Sequence, residues 1–184
     1  QIVNIETDNS NSLIDAFSRT KNPLFQTNST IYNMFNENDQ RRNLITKYFV
    51  IYYIKKYDES LLDGVSQPLN RVYIRLAEMH LIRAEANLIP GGNGNALDAF
   101  ESYNALRMRA FGDLYSPETV ALDDLLDSVR NERRRELCFE GDRYHNLKRL
   151  KLPLREGVDW NADAPIFKIP ADEMSGNSLM EQNP

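Results

Sequence analysis

Four glutamates, Glu78, Glu85, Glu136 and Glu140, fall on helical stretches beside apolar neighbours. Carboxylates paired inside a protein can hydrolyse a glycosidic bond, one as acid and one as base or nucleophile. They can also be structural, each neutralised by an arginine. Arg107, Arg133 and Arg143 stand at comparable positions, and a guanidinium fits a carboxylate bidentately. A catalytic pair needs one carboxyl kept protonated in a less compensated pocket. Inward-facing arginines and glutamates occur in similar number, which favours an ionic lattice over catalysis. The expected lattice is Glu78, Glu85, Arg107, Arg133, Glu136, Glu140 and Arg143, with no catalytic residue.

Other chemistries have less support. His80 and His145 are far apart and match no metal-binding spacing. Cys138 is the only cysteine, flanked by Leu137 and Phe139, and reads as a small buried apolar side chain. No metal or cofactor is therefore expected. The run PGGNGN at residues 90–95 lacks the Lys-Ser/Thr of a phosphate loop. Sugars stack on flat rings, so Trp160, in a polar loop, and Tyr115 are the candidate ligand contacts. Tyr48, Tyr52, Tyr53 and Tyr57 read as core and sheet edge.

Helices must position these groups. In residues 121–140, Leu122, Leu125, Leu126 and Val129 form a stripe that continues into Arg133, Glu136 and Glu140. Gly141 is placed to end that helix. A helix over residues 71–89 carries two apolar stripes, Ile74, Ala77, Leu81, Ala84 and Leu88 opposite Val72, Met79, Ile82 and Ala86, as if sandwiched between layers. The glycine turn leads to a third helix over residues 96–111, buried through Ala96, Ala99, Phe100, Tyr103, Leu106 and Ala110. The helices over residues 71–89 and 96–111 make an antiparallel pair, and Ala96-x3-Phe100 echoes a tetratricopeptide second helix. Short helices are expected at residues 12–18 and 30–35, a short strand at residues 1–6, and a strand or extended core segment at residues 47–57. Residues 36–42 read as a polar turn and 58–70 as a loop. Residues 143–150 form a further turn or two of helix, and 171–175 a short turn.

The totals bound the class. The chain has 184 residues, 41% hydrophobic and 27% charged, which suits one domain with a real core. A net charge of −5 lacks the basic footprint of a nucleic-acid binder. No apolar run approaches the ~20 residues of a membrane-spanning helix. The chain begins at Gln1, which is read as a fragment or processed product, so the lack of a signal says nothing of the parent.

Four blocks resemble the C-terminal part of the SusD/RagB family of outer-membrane nutrient-binding lipoproteins. They are IRLAEMHLIRAEANL at residues 74–88, NALRMRA at 104–110, ERRRELCFEGDRYHNLKR at 132–149, and a tail running from Ile169-Pro170 to Gln182-Asn183-Pro184. NDQRR at 38–42 resembles an upstream Asp-x-Arg element. Asn146 departs from the family's usual Asp, and the family's N-terminal half, with its lipidated cysteine and much of its ligand surface, is absent. The resemblance implies a mainly α, tetratricopeptide-like scaffold with long ordered loops, residues 1–184 forming a single C-terminal domain. It implies surface capture of a glycan, or in some members a peptide, without catalysis. A TonB-dependent, SusC-like outer-membrane transporter is the implied partner, with a lipid anchor on the parent protein. A helical-repeat module for proteins or peptides is the alternative, and a glycan-degrading enzyme a third.

Overall fold

Three amphipathic stretches become three helices around one core. The computed structural model describes residues 26–56, 74–91, 93–117, 120–162, 168–177 and 179–183. The expected strand at 1–6, helix at 12–18 and loop at 58–70 lie outside the described residues. The chain forms two units, Gln1–Leu137 and Cys138–Pro184.

In the first unit, α1 is a single turn, Ser29–Tyr32, capped by the Asn28 side chain accepting from the Ile31 amide at 3.2 Å. It is shorter than the expected 30–35, although Phe35 is buried beyond it. Asp39 caps a 3-10 turn, Gln40–Leu44. Strands β1, Ile45–Tyr48, and β2, Ile51–Ile54, then pair antiparallel from Ile45 opposite Ile54 to Tyr48 opposite Ile51. The sequence suggested one strand here, over residues 47–57. The turn is Phe49-Val50, with no glycine or asparagine to mark it, so the reversal carries no sequence signal.

Helix α2 spans Leu76–Leu88, α3 spans Ala96–Phe111 and α4 spans Leu122–Glu136. Both α3 and α4 pack against α2. Ala77, Leu81 and Ala84 meet Ala99, Tyr103 and Leu106, with Leu125, Val129 and Leu137 closing the core. Ala84 and Ala99 are fully buried, and their small side chains let the backbones approach. The α2–α3 turn is tied by Asn87, whose Oδ1 accepts from the Asn95 amide at 2.8 Å, and by Asn95, which caps α3. The expected sandwiching of α2 is corrected. Met79 and Ile82 are 42% and 47% exposed, because both partner helices lie on the Ala77–Leu81–Ala84 side.

Helix α4 is also shorter than expected. Leu137 leaves helical geometry and Phe139 has a φ of 67°, so Glu140 stands past the helix in the following turn. Gly141, at φ 83°, opens the next helix rather than closing this one. In the second unit, α5 spans Asp142–Arg149 and buries Asn146 and Leu147. A tight turn joins Arg155 to Val158, and α6 spans Ala171–Gly176. The Gln182 side chain acts as a backbone mimic: its Oε1 accepts from the Ile169 amide at 2.8 Å and its Nε2 donates to the Ile169 carbonyl at 3.0 Å. That clamp gives the Ile-Pro and Gln-Asn ends of the tail a physical role. Among the described residues the fold is mainly α.

Candidate functional site

The buried charges converge on the C-terminal half of α4. Its inward stripe runs Leu125, Val129, Glu132, Glu136, so the periodicity steps from Val129 to Glu132 rather than to Arg133. Glu132 is fully buried and Glu136 nearly so. Neither position tolerates a lone carboxylate.

Arg41 is the hub. Its Nε and Nη2 donate to the two Asp39 carboxylate oxygens at 2.9 and 2.8 Å, a bidentate pair. Its Nη1 lies 2.7 Å from both Glu132 Oε1 and Glu136 Oε2, bridging the two glutamates. Glu132 also meets Arg135 Nη2 at 2.7 Å and Arg107 Nη1 at 3.6 Å. Arg107 lies 4.4 Å over the Phe111 ring, which packs its buried guanidinium. Glu136 Oε1 accepts from Arg75 and Arg109. Arg75 Nη2 further donates to the Glu136 backbone carbonyl at 2.6 Å, so a cation from the residue preceding α2 caps the negative end of α4.

Burial by itself favours the neutral form of Glu136, but hydrogen bonds from Arg109, Arg75 and Arg41 outweigh it and push its pKa down to about 2. Burial likewise opposes the Arg41 cation, and the Asp39 hydrogen bond with the Glu132 and Asp39 charges reverses this, holding its pKa above the ordinary arginine value.

Of the residues singled out from sequence, Glu78 pairs with Arg133 at 3.1 Å, and Glu85 pairs with Arg130 at 3.3 Å. These two bridges fasten α2 to α4 outside the central cluster. Glu136 and Arg107 join the central cluster but meet different partners, Glu136 taking Arg41, Arg75 and Arg109 and Arg107 taking Glu132. Glu140 and Arg143 belong to the second unit, with Arg143 exposed. Sequence reasoning missed Asp39, Arg41, Arg75 and Arg109 as members of the cluster. The Asp-x-Arg spacing at 39–41 was the available signal, since an aspartate two residues before an arginine can cap a turn and chelate its guanidinium together.

The two aromatic candidates occupy separate units. Tyr115 follows α3, half-buried, with its hydroxyl donating to Asn104 Oδ1. Trp160 is half-exposed, and the Lys151 ammonium lies 5.4 Å from its ring. Cys138 is half-buried rather than fully enclosed. Among the described residues, no three histidine, cysteine or acidic side chains group as a cation's ligand set.

Comparison with known proteins places this architecture. The model of the SusD family matches residues 5–162. The chain is 34% identical over 141 residues to SusD-like protein P2 of Formosa agariphila, covering 66% of this chain and 27% of that protein. A crystal structure of a SusD superfamily protein from Bacteroides vulgatus is similar at TM-score 0.65 and 29% identity, over 81% of this chain and 36% of that one. A structure described as a SusD-like carbohydrate binding protein, also from Bacteroides vulgatus, shares the fold at TM-score 0.58 and 21% identity, over 77% of this chain and 31% of that one. The chain thus spans about a quarter to a third of the length of these relatives.

Proposed function

The chain belongs to the SusD family, and from that premise we propose that it is part of a cell-surface protein that binds glycan without cleaving it. The family match over residues 5–162 carries this reading. The structural neighbour described as carbohydrate binding supports it. The central cluster of arginines and carboxylates, a clasp between the helices, supports the non-catalytic half of the proposal. A glycosidase acid needs a carboxyl with a raised pKa. Glu136 is instead pushed down to about 2 by three arginines. Its geometry suits locking the segments around residue 41, α2, α3 and α4 together, not proton transfer.

In the finer form of the proposal, the parent protein sits at the outer membrane through an N-terminal lipid anchor and delivers its glycan to a TonB-dependent, SusC-like transporter. Trp160 and Tyr115 are the proposed ring contacts within this chain. Titration calorimetry against soluble polysaccharides and peptides tests the reading. Saturable heat with a glycan, weakened by Trp160→Ala or Tyr115→Ala, is expected. Saturation by peptides alone overturns it in favour of a helical-repeat peptide binder. Reducing-sugar release abolished by Glu136→Gln overturns it in favour of an enzyme.

A further inference from the structure

Arg42 follows the hub of the clasp in sequence but takes no part in it. Its guanidinium lies 4.5 Å over the Tyr32 ring. The Tyr32 ring in turn meets the Tyr52 ring, with centroids 5.2 Å apart. Lys47 faces Tyr52 across β1 and β2, and its ammonium is 5.8 Å from that ring. The contacts therefore run cation, ring, ring, cation. They end on the hairpin face that Lys47 and Tyr52 share with the buried Ile45 and Ile54.

Stacking on an aromatic ring engages the face of a guanidinium and leaves its in-plane N–H donors unspent. Those of Arg42 have no taker. Among the described residues no carboxylate or other acceptor meets its side chain, and its Nε is buried without a hydrogen-bond partner. Residues 40–56 contain no acid, and Asp39, just before them, is held by Arg41. Arg41 has three acids within the fold; Arg42, half-buried beside it, has none among the described residues. A cation partly withdrawn from water without counter-charge is costly. The Tyr32 and Tyr52 hydroxyls likewise have no hydrogen-bond partner among the described residues. An inorganic anion would answer Arg42 and leave the tyrosines unused. A neutral sugar would use the tyrosines and leave both cations unanswered. A sugar that carries a carboxylate answers both, since the guanidinium fork fits that group bidentately while rings and hydroxyls receive the pyranose.

We propose that Arg42, Tyr32, Tyr52 and Lys47 form a subsite for an acidic glycan, Arg42 taking a uronate carboxylate, the tyrosines contacting the sugar and Lys47 attracting a neighbouring acid group. This rests on the glycan reading and narrows it to carboxylate-bearing sugars.

Titration calorimetry on the full chain tests it with oligogalacturonate and alginate oligomers. The controls are methyl-esterified oligogalacturonate, dextran and poly-L-glutamate, which offers carboxylates without sugar rings. Saturable binding of a uronate is expected, weaker by roughly tenfold or more once the carboxylates are esterified. Arg42→Gln should cause a similar loss, and Arg42→Lys, which keeps the charge without the fork, an intermediate one. Lys47→Gln should weaken binding most at low salt. Thermal melts check that the variants fold. Lys47 is exposed, so its variant carries the test even where Arg42→Gln does not fold. Binding of neutral glycans alone overturns the subsite and leaves the glycan reading standing; binding of no glycan at all removes both. Equal affinity for the methyl ester, equal affinity for poly-L-glutamate, or uronate binding indifferent to Arg42 and Lys47 also overturns the subsite.

Discussion

Glu136 is a carboxylate that three arginines keep ionised where water scarcely reaches, and its environment makes two predictions. Removing it leaves Arg41 and Arg75 short of counter-charge, so Glu136→Ala should cost roughly 3–5 kcal/mol, as expected for breaking a buried ion pair. Arg107→Ala, which strips a cation from Glu132, should fall in the same range. Urea unfolding midpoints check both, and unchanged midpoints would remove the clasp from the account of stability. The second prediction concerns acid. The folded pKa of Glu136 is about 2, below the ~4.3 of an unfolded glutamate. The unfolded chain therefore takes up the proton first as pH falls. The stabilisation is complete above the unfolded value, declines through the interval from about 4.3 down to about 2, and is gone below it. A separation of about two pH units corresponds to about 3 kcal/mol. Melting temperature measured across that interval should fall less steeply in Glu136→Gln than in the parent. At this scale the sequence was partly legible. It marked Glu136 as inward-facing, but carried the stripe from Val129 into Arg133 rather than Glu132. A helix stripe advances by three or four residues with equal ease, and only packing chooses between Glu132 and Arg133.

Helices were easier to read than their ends. The boundaries of α3 coincide with the spacing of its apolar residues, because Asn95 caps its start and Gly112, at φ 56°, ends it. The end of α4 was not legible. It is set by Arg75 capping the Glu136 carbonyl, a contact spanning 61 residues of sequence. The hairpin was missed for a local reason, since Phe49-Val50 lacks the residues that usually reverse a chain. The α2–α3 turn yields the element-scale prediction. A Cβ on Gly94 would run into the backbone of Asn87. Gly94→Ala should therefore destabilise the turn by about 1–3 kcal/mol. Gly91→Ala meets no such neighbour, and its cost comes from its φ of 81° alone. Thermal melts of the two variants separate steric conflict from backbone conformation, and equal losses would contradict the clash.

Across the whole molecule, family and helical class were legible because ERRREL and the tail lie in sequence as contiguous blocks, whereas the clasp is assembled from four separated places. Asp39 and Arg41, Arg75, the pair Arg107 and Arg109, and the acids of α4 meet only when the fold is complete. That dispersal has a consequence in time. The α2–α3 hairpin closes through neighbours in sequence, but Arg41 reaches Glu136 across 95 residues. Joining such distant partners is slow and entropically costly, so the ion cluster should assemble after the barrier to folding has been crossed. Glu136→Gln should then leave the refolding rate nearly unchanged and accelerate unfolding by most of its equilibrium cost. Stopped-flow chevrons would show it as a shift confined to the unfolding limb, and a slowed folding limb would contradict it. The arginine cluster thereby becomes a latch on the lifetime of the native state: what it chiefly sets is how long the molecule, once folded, stays so.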